Sequence, residues 1–247
     1  MKIIYVDCFS GISGDMFLGA MVDMGVSIGM LSSAMARLNL DIKVTAEKVN
    51  KQGIVGTKVN VQVPETREHR NLADILQIIH KSQMLDEVRT TAGNIFKRLA
   101  EAEAKVHGVP VEKVHFHEIG ALDTIADIVG SAFCYKVLKA EGLYSSAVNV
   151  GSGTVKTEHG ILPVPAPATL ELLKGVPIYS TGVNAELVTP TGAAILAEMS
   201  LGYGPMPNMS VEKTGYGAGS KDLETPNLLR AVIGEQHQRV HSIRRGH

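Results

Sequence analysis

The feature that most restricts the fold lies at the N-terminus. Lys2-Ile3-Ile4-Tyr5-Val6-Asp7 is followed at once by Cys8-Phe9-Ser10-Gly11-Ile12-Ser13-Gly14-Asp15 and then by an apolar run from Met16 to Gly25. The first stretch reads as a buried strand, the second as a loop of small residues, the third as a helix. A strand that feeds a helix directly calls for a sheet with helices laid over it. The same arrangement turns backbone N–H groups and a helix dipole toward an incoming anion, so Ser10, Gly11, Ser13 and Gly14 are candidates for holding a phosphate. The loop is not a Walker A sequence, because no Gly-Lys-Ser/Thr follows, and the G-x-G-x-x-G spacing of dinucleotide sites is missing. Asp7 and Asp15 bracket it. Carboxylates would repel a bare phosphate, and a divalent ion held between them would reverse that sign. The simpler reading makes Asp15 an N-cap and the glycines a turn.

Farther along, Ser27 to Leu38 is an amphipathic helix, and residues 42–49 and 57–63 alternate apolar and polar around Lys51-Gln52-Gly53 as a strand pair. Residues 64–70 are charged; His69, beside Arg67 and Arg70, is either a solvated loop residue or part of a basic cluster that meets an anionic substrate. Asn71 caps a helix from Leu72 to Lys81, and Val88 to Gly108 is the longest helix, ended by Gly108 and Pro110. His80 and His107 sit near the C-terminal ends of these helices, where the dipole accounts for them. Ser146 to Val150 reads as a strand. Pro163, Pro165 and Pro167 hold the following segment extended, so that a stiff loop delivers Lys156, Glu158 and His159, unless these form a polar hairpin rim. Thr189 and Pro190 start a helix over 191–200, and Thr191-Gly192 at its N-terminus is a second candidate phosphate holder. Thr214 to Ser220 is Gly-rich and reads as a loop between strand-like 209–213 and 228–233. The pattern predicts an α/β fold, with mixed α+β as the neighbouring class: one mixed sheet with covering helices, and the strand pair near 42–63 as an excursion. Residues 1–235 form one catalytic, cofactor-binding domain in this reading, and the basic, His-rich 236–247 a disordered tail.

The densest chemistry is His115-Phe116-His117-Glu118-Ile119-Gly120-Ala121-Leu122-Asp123-Thr124-Ile125-Ala126-Asp127. His115 and His117 on a strand end point to one face. Gly120 turns the chain into a helix over 122–141, on which Asp123 and Asp127 share a face at i, i+4. Two imidazoles with Glu118, Asp123 and Asp127 can ligate a borderline divalent metal such as nickel, zinc or manganese. Against this stand a first-turn or capping role for Asp123 and a polar strand rim for the histidines. The balance of the 247 residues narrows the partners. A net charge of −1 supplies no basic field for nucleic acid, and no apolar run approaches the ~20 residues that span a bilayer. Two cysteines without a framework point to a reducing cytoplasm, with Cys134 a small core residue.

Taken together, Asp7 to Met16, His115 to Glu118 with Asp123 and Asp127, His159 to Pro167, and Glu186 to Gly192 resemble, in this order, the LarC family of nickel-insertion proteins. The resemblance implies insertion of nickel(II) into pyridinium-3,5-bisthiocarboxylic acid mononucleotide. The product is the nickel-pincer nucleotide cofactor of lactate racemase, formed by a cyclometallase of the lyase class that consumes CTP and uses manganese or magnesium. It also implies a further C-terminal region that binds CTP, expected as a partner polypeptide or a longer product; homo-oligomers are open. The residues fit such chemistry. His115, His117 and Glu118 would bind nickel yet yield it to sulfur, with Asp7, Asp15, Asp123 and Asp127 as further metal donors. Glu118 or His159 would serve as base, and the 10–16 loop with Thr191-Gly192 would hold the phosphate. A non-catalytic metal or cofactor carrier and a metal-dependent phosphohydrolase are the alternatives.

Overall fold

The apolar N-terminal run forms β1 (Lys2–Asp7), and the small-residue loop opens α1 (Gly14–Asp23), followed by α2 (Ile28–Ala36). Then come β2 (Lys43–Lys51), β3 (Ile54–Gln62), β4 (Arg70–Asn71), α3 (Leu72–Lys81), α4 (Asp86–His107) and β5 (His115–Phe116). The second half holds α5 (Leu122–Leu138), β6 (Gly142–Ser145), β7 (Val148–Asn149), β8 (Thr154–Thr157), β9 (Gly160–Pro163) and α6 (Pro167–Leu172). The chain continues through β10 (Ile178–Tyr179), α7 (Pro190–Met199), β11 (Ser200–Tyr203), β12 (Met209–Ala218) and β13 (Leu228–Gln236). This computed structural model describes residues 1–64, 70–116 and 122–237.

Among the described residues seven strands form one mixed sheet in the order β11-β6-β1-β13-β12-β3-β2. β1 lies in its interior, parallel to β6 and antiparallel to β13, with side chains buried on both faces. Ile4 and Val6 enter the main core, whereas Ile3 faces Tyr144 and Leu201 near Gly142, as a period of two requires. α1 packs on β12, β3 and β13, and α5 packs on α1; α4 then packs on α5 and α7. Phe17, Met21, Leu31, Met35, Phe96 and Ile125 fill the space between these layers.

The helix ends follow local chemistry. Asn71 and Asp74 form a reciprocal capping box at α3, Thr189 Oγ1 accepts the N–H of Gly192 with Pro190 at the first position of α7, and Gly108 closes α4 at φ +65°. The 42–63 pair is a hairpin whose two turn residues, Gln52 and Gly53, both have positive φ, the twist a two-residue turn needs. It joins the sheet edge where Gly217 pairs with Thr57.

Several boundaries differ from the sequence expectations. Ser13, and not Asp15, occupies the N-cap position of α1; Asp15 lies in the first turn. The helix expected over 122–141 ends at Leu138, where Lys139 takes φ +54°. The strand expected over 146–150 is present only as β7, Val148–Asn149, paired with β10, whereas β6, with Leu143 beside Ile4, is the strand that joins β1. The stiff loop expected from Lys156 is the hairpin β8–β9, turned at Gly160 with φ +97°. The Gly-rich segment expected as a loop is strand as far as Ala218. A Cβ on Gly217 would stand 1.7 Å from the Met16 carbonyl oxygen, and one on Gly215 would stand 2.3 Å from that of Ala20. Those glycines let the α1 backbone rest directly on β12. Of the expected tail, Gln236 ends β13 and His237 Nε2 lies 2.8 Å from Ser210 Oγ; residues 238–247 are outside the described residues. No helix among the described residues is long and apolar enough to cross a membrane.

Candidate functional site

A cavity of about 510 Å³ opens between the end of α4, the β8–β9 hairpin, the start of α6 and the N-terminus of α7. α4 contributes Glu103 and His107, the hairpin contributes Lys156 and His159, and the segment entering α7 contributes Glu186, Thr189 and Thr191. Buried Phe116 of β5 and Thr124 of α5 complete the wall, so both ends of the 115–127 stretch reach it. The rings of His107 and His159 stand 4.8 Å apart between centroids, tilted by 52°. Glu103 Oε2 lies 3.3 Å from His107 Nε2, one helical turn back. His159 is fixed from its own strand by its backbone N–H, which donates to Thr157 Oγ1 at 3.1 Å.

The two predicted phosphate-holding stretches meet each other. The Ile12 N–H donates to the Leu187 carbonyl at 3.0 Å, and the Thr189 N–H to that of Ile12 at 3.2 Å. Cβ atoms at Gly11 and Gly192 would lie 2.0 Å from the Leu187 oxygen and 2.3 Å from the Ile12 oxygen. These glycines therefore make a backbone-to-backbone seam. Gly11 N–H is taken by Cys8 O and Gly192 N–H by Thr189 Oγ1. Ser10 is buried, its Oγ without a hydrogen-bond partner among the described residues. Of the predicted phosphate holders, Thr191 is the one that lines the cavity.

The predicted metal donors fall into three places. Asp7 at the end of β1 is ion-paired with Arg230 of β13. Asp127 sits beneath the start of α1: a Cβ on Gly14 would stand 2.4 Å from its Oδ2, so only glycine leaves it room. Asp127 Oδ1 is wholly buried and has no hydrogen-bond partner among the described residues. Burial first, then the carboxylates of Asp15 and Asp123, push its carboxyl well above the usual range. Asp15 accepts the Ser13 hydroxyl, and Asp123 Oδ1 accepts the Thr124 N–H at 2.8 Å. His115 is in β5, paired with Asn71; its side chain, and His117, Glu118 and Gly120, lie outside the described residues, as does His69. Among the described residues no three His, Cys, Asp or Glu side chains gather to hold a metal ion. Both cysteines are unpaired and buried, with thiols pushed up to about 12 by desolvation, so neither is a ready thiolate ligand.

From the sequence, Glu103 carried no signal of its own, His107 was accounted for by the helix dipole, and Glu186 stood in a motif without a role. The i, i+4 spacing of Glu103 and His107 was visible, but a helix C-terminus accounted for the histidine on its own.

The model of the family described as nickel insertion protein matches residues 4–244. The chain belongs to the nickel insertion protein family. A relative from Desulfitobacterium hafniense named pyridinium-3,5-bisthiocarboxylic acid mononucleotide nickel insertion protein is 52% identical over 95% of this chain and 59% of its own length. Relatives bearing the same name from Geobacillus kaustophilus and Acetivibrio thermocellus are 47% and 45% identical, over 96% and 97% of this chain and 60% and 62% of theirs. The chain thus spans about three fifths of the length of these curated family members. No solved structure matches it.

Proposed function

We propose that residues 1–235 are the part of a nickel-inserting enzyme that holds pyridinium-3,5-bisthiocarboxylic acid mononucleotide and delivers nickel(II) to it, in the cytoplasm, toward the cofactor of lactate racemase. The observation that carries this reading is the match, along 95% of the chain, to a relative bearing that name. The cavity supports it, since its ~510 Å³ falls in the range of roughly 300–1,000 Å³ typical of small-molecule sites. Lys156 on its wall offers a cation to the substrate's phosphate or thiocarboxylates, and Thr191 a hydroxyl.

The chemistry sets the order of events. Nickel arrives on nitrogen and oxygen donors, His115, His117 and Glu118 in this proposal, which bind it but cede it to the two softer thiocarboxylate sulfurs. A nickel–carbon bond then replaces the C–H bond at the ring carbon between them, and Glu118 or His159 takes the proton. A hard divalent ion, manganese or magnesium, would be held by carboxylates and would supply positive charge to offset that of the substrate's phosphate. Asp15 and Asp127 are the carboxylates suited to it, because Asp127 carries a buried oxygen with no partner among the described residues and a cation would offset its repulsion from Asp15. Asp7, held by Arg230, is left to shaping the end of β1. The relatives continue beyond the matched stretch, and we assign CTP use to that remainder.

The test is incubation of the chain with nickel chloride and the bisthiocarboxylated nucleotide, with and without CTP, manganese or magnesium, and the remainder of a relative, followed by mass spectrometry. The expected result is nucleotide binding by the chain and a nickel adduct lacking one proton when all components are present. Binding without the adduct under every condition would support a carrier instead. Failure to bind the nucleotide at all, or hydrolysis of simple phosphate esters without nickel, would overturn the proposal.

A further inference from the structure

His107 ends α4 and His159 lies in the turn of the β8–β9 hairpin, so two distant segments converge at the cavity wall to set two imidazoles 4.8 Å apart. The His107 side chain is 36% exposed, which leaves it open to ions from solvent. Glu103 Oε2, 3.3 Å from its Nε2, favours the tautomer that carries the proton on Nε2 and leaves the lone pair on Nδ1. A carboxylate behind an imidazole in this way is the usual support of a metal-binding histidine. We infer that His107 and His159 form a landing site for the incoming nickel ion, with Glu103 as its positioning residue. This rests on the nickel-delivery reading above.

Two imidazole donors hold a borderline divalent ion without saturating it, so most of its coordination positions stay open to water and to the substrate's sulfurs. A weak site suits an ion that has to be surrendered. Its place on the wall of the cavity puts the ion within reach of a bound nucleotide.

The experiment is titration of the full chain with nickel chloride, no nucleotide present, in competition with a chromophoric chelator; circular dichroism and thermal melting verify that each variant is folded. His107→Gln and His159→Gln should each weaken the same nickel equivalent tenfold or more, and the double variant should lose that one equivalent and no second one, because both side chains serve one ion. Glu103→Gln should weaken the same equivalent by about 10-fold or more. His80→Gln, in the separate groove between α3 and α4, should leave the isotherm unchanged. Isotherms of folded His107→Gln and His159→Gln that match the wild type would overturn the site, as would losses that add as two independent equivalents. The insertion reading fails separately: if the variants lose nickel affinity but the wild type never yields the nickel–carbon adduct, the landing site stands and insertion falls.

Discussion

The seam between α1 and the sheet and the wall of the cavity treat polar groups in opposite ways. Along the seam, backbones touch through Gly215 and Gly217, and the last residue of α1, Asp23, accepts bonds from the Tyr216 N–H, Thr57 and Lys48. Burial raises the Asp23 carboxyl, but these partners outweigh it and hold it below its usual value. Along the cavity wall, Lys156 and His159 are exposed, and the Glu103–His107 pair spans one turn of a helix end. A desolvated polar group must be matched or its cost is borne by the fold, whereas a solvated one can be changed at little cost to stability. The first region is built for rigidity and the second for exchange with ligands. Asp127 of α5 is the exception that joins them: its Oδ1 is buried beneath the start of α1 without a hydrogen-bond partner among the described residues, while Thr124 in the first turn of α5 lines the cavity.

Substitutions can break or sharpen that contrast. Gly217→Val should cost the most, about 3 kcal/mol or more, because a side chain there cannot coexist with the Met16 carbonyl; a lowered denaturant midpoint at unchanged slope would register it. Asp23→Ala should cost roughly 1–3 kcal/mol by leaving the Tyr216 N–H unmatched. Because the folded carboxyl is depressed, its contribution is present above the unfolded value and lost as pH falls through the folded one, so the variant should also flatten the acid side of the stability profile. Asp127→Asn should act in the opposite direction, raising the denaturation midpoint near pH 7, since the fold holds that carboxyl well above its usual range through burial and the neighbouring Asp15 and Asp123. With the folded carboxyl raised, stability falls as pH climbs from the unfolded value toward the folded one, and melting curves of the variant should lack that decline. His107→Gln should move stability least, within about 0.5 kcal/mol, while weakening nickel binding. A large loss of stability there would place the cavity wall with the seam.

The sequence by itself determined the features that depend on neighbours a few residues apart. The capping box at Asn71, the Thr189-Pro190 start of α7, Gly108 at the end of α4 and the Gln52-Gly53 turn are all read from short-range sterics and hydrogen bonds. It also marked β1 as buried on both faces, and its ordered motifs carried the family. The family motif around His115 to Glu118 was legible as chemistry, and the side chains at its centre lie outside the described residues. Tertiary structure decided the rest, because it depends on which distant backbones touch. Glycines that read as loop at 215 and 217 belong to a strand only because α1 lies on them, and the two supposed phosphate loops at Gly11 and Gly192 bind each other. β6 exists because β1 offers it an edge, and β11 because β6 in turn offers one. His107 and His159 look unrelated along the chain; only the packing of α4 beside the β8–β9 hairpin sets their tilted rings 4.8 Å apart on the wall of a cavity.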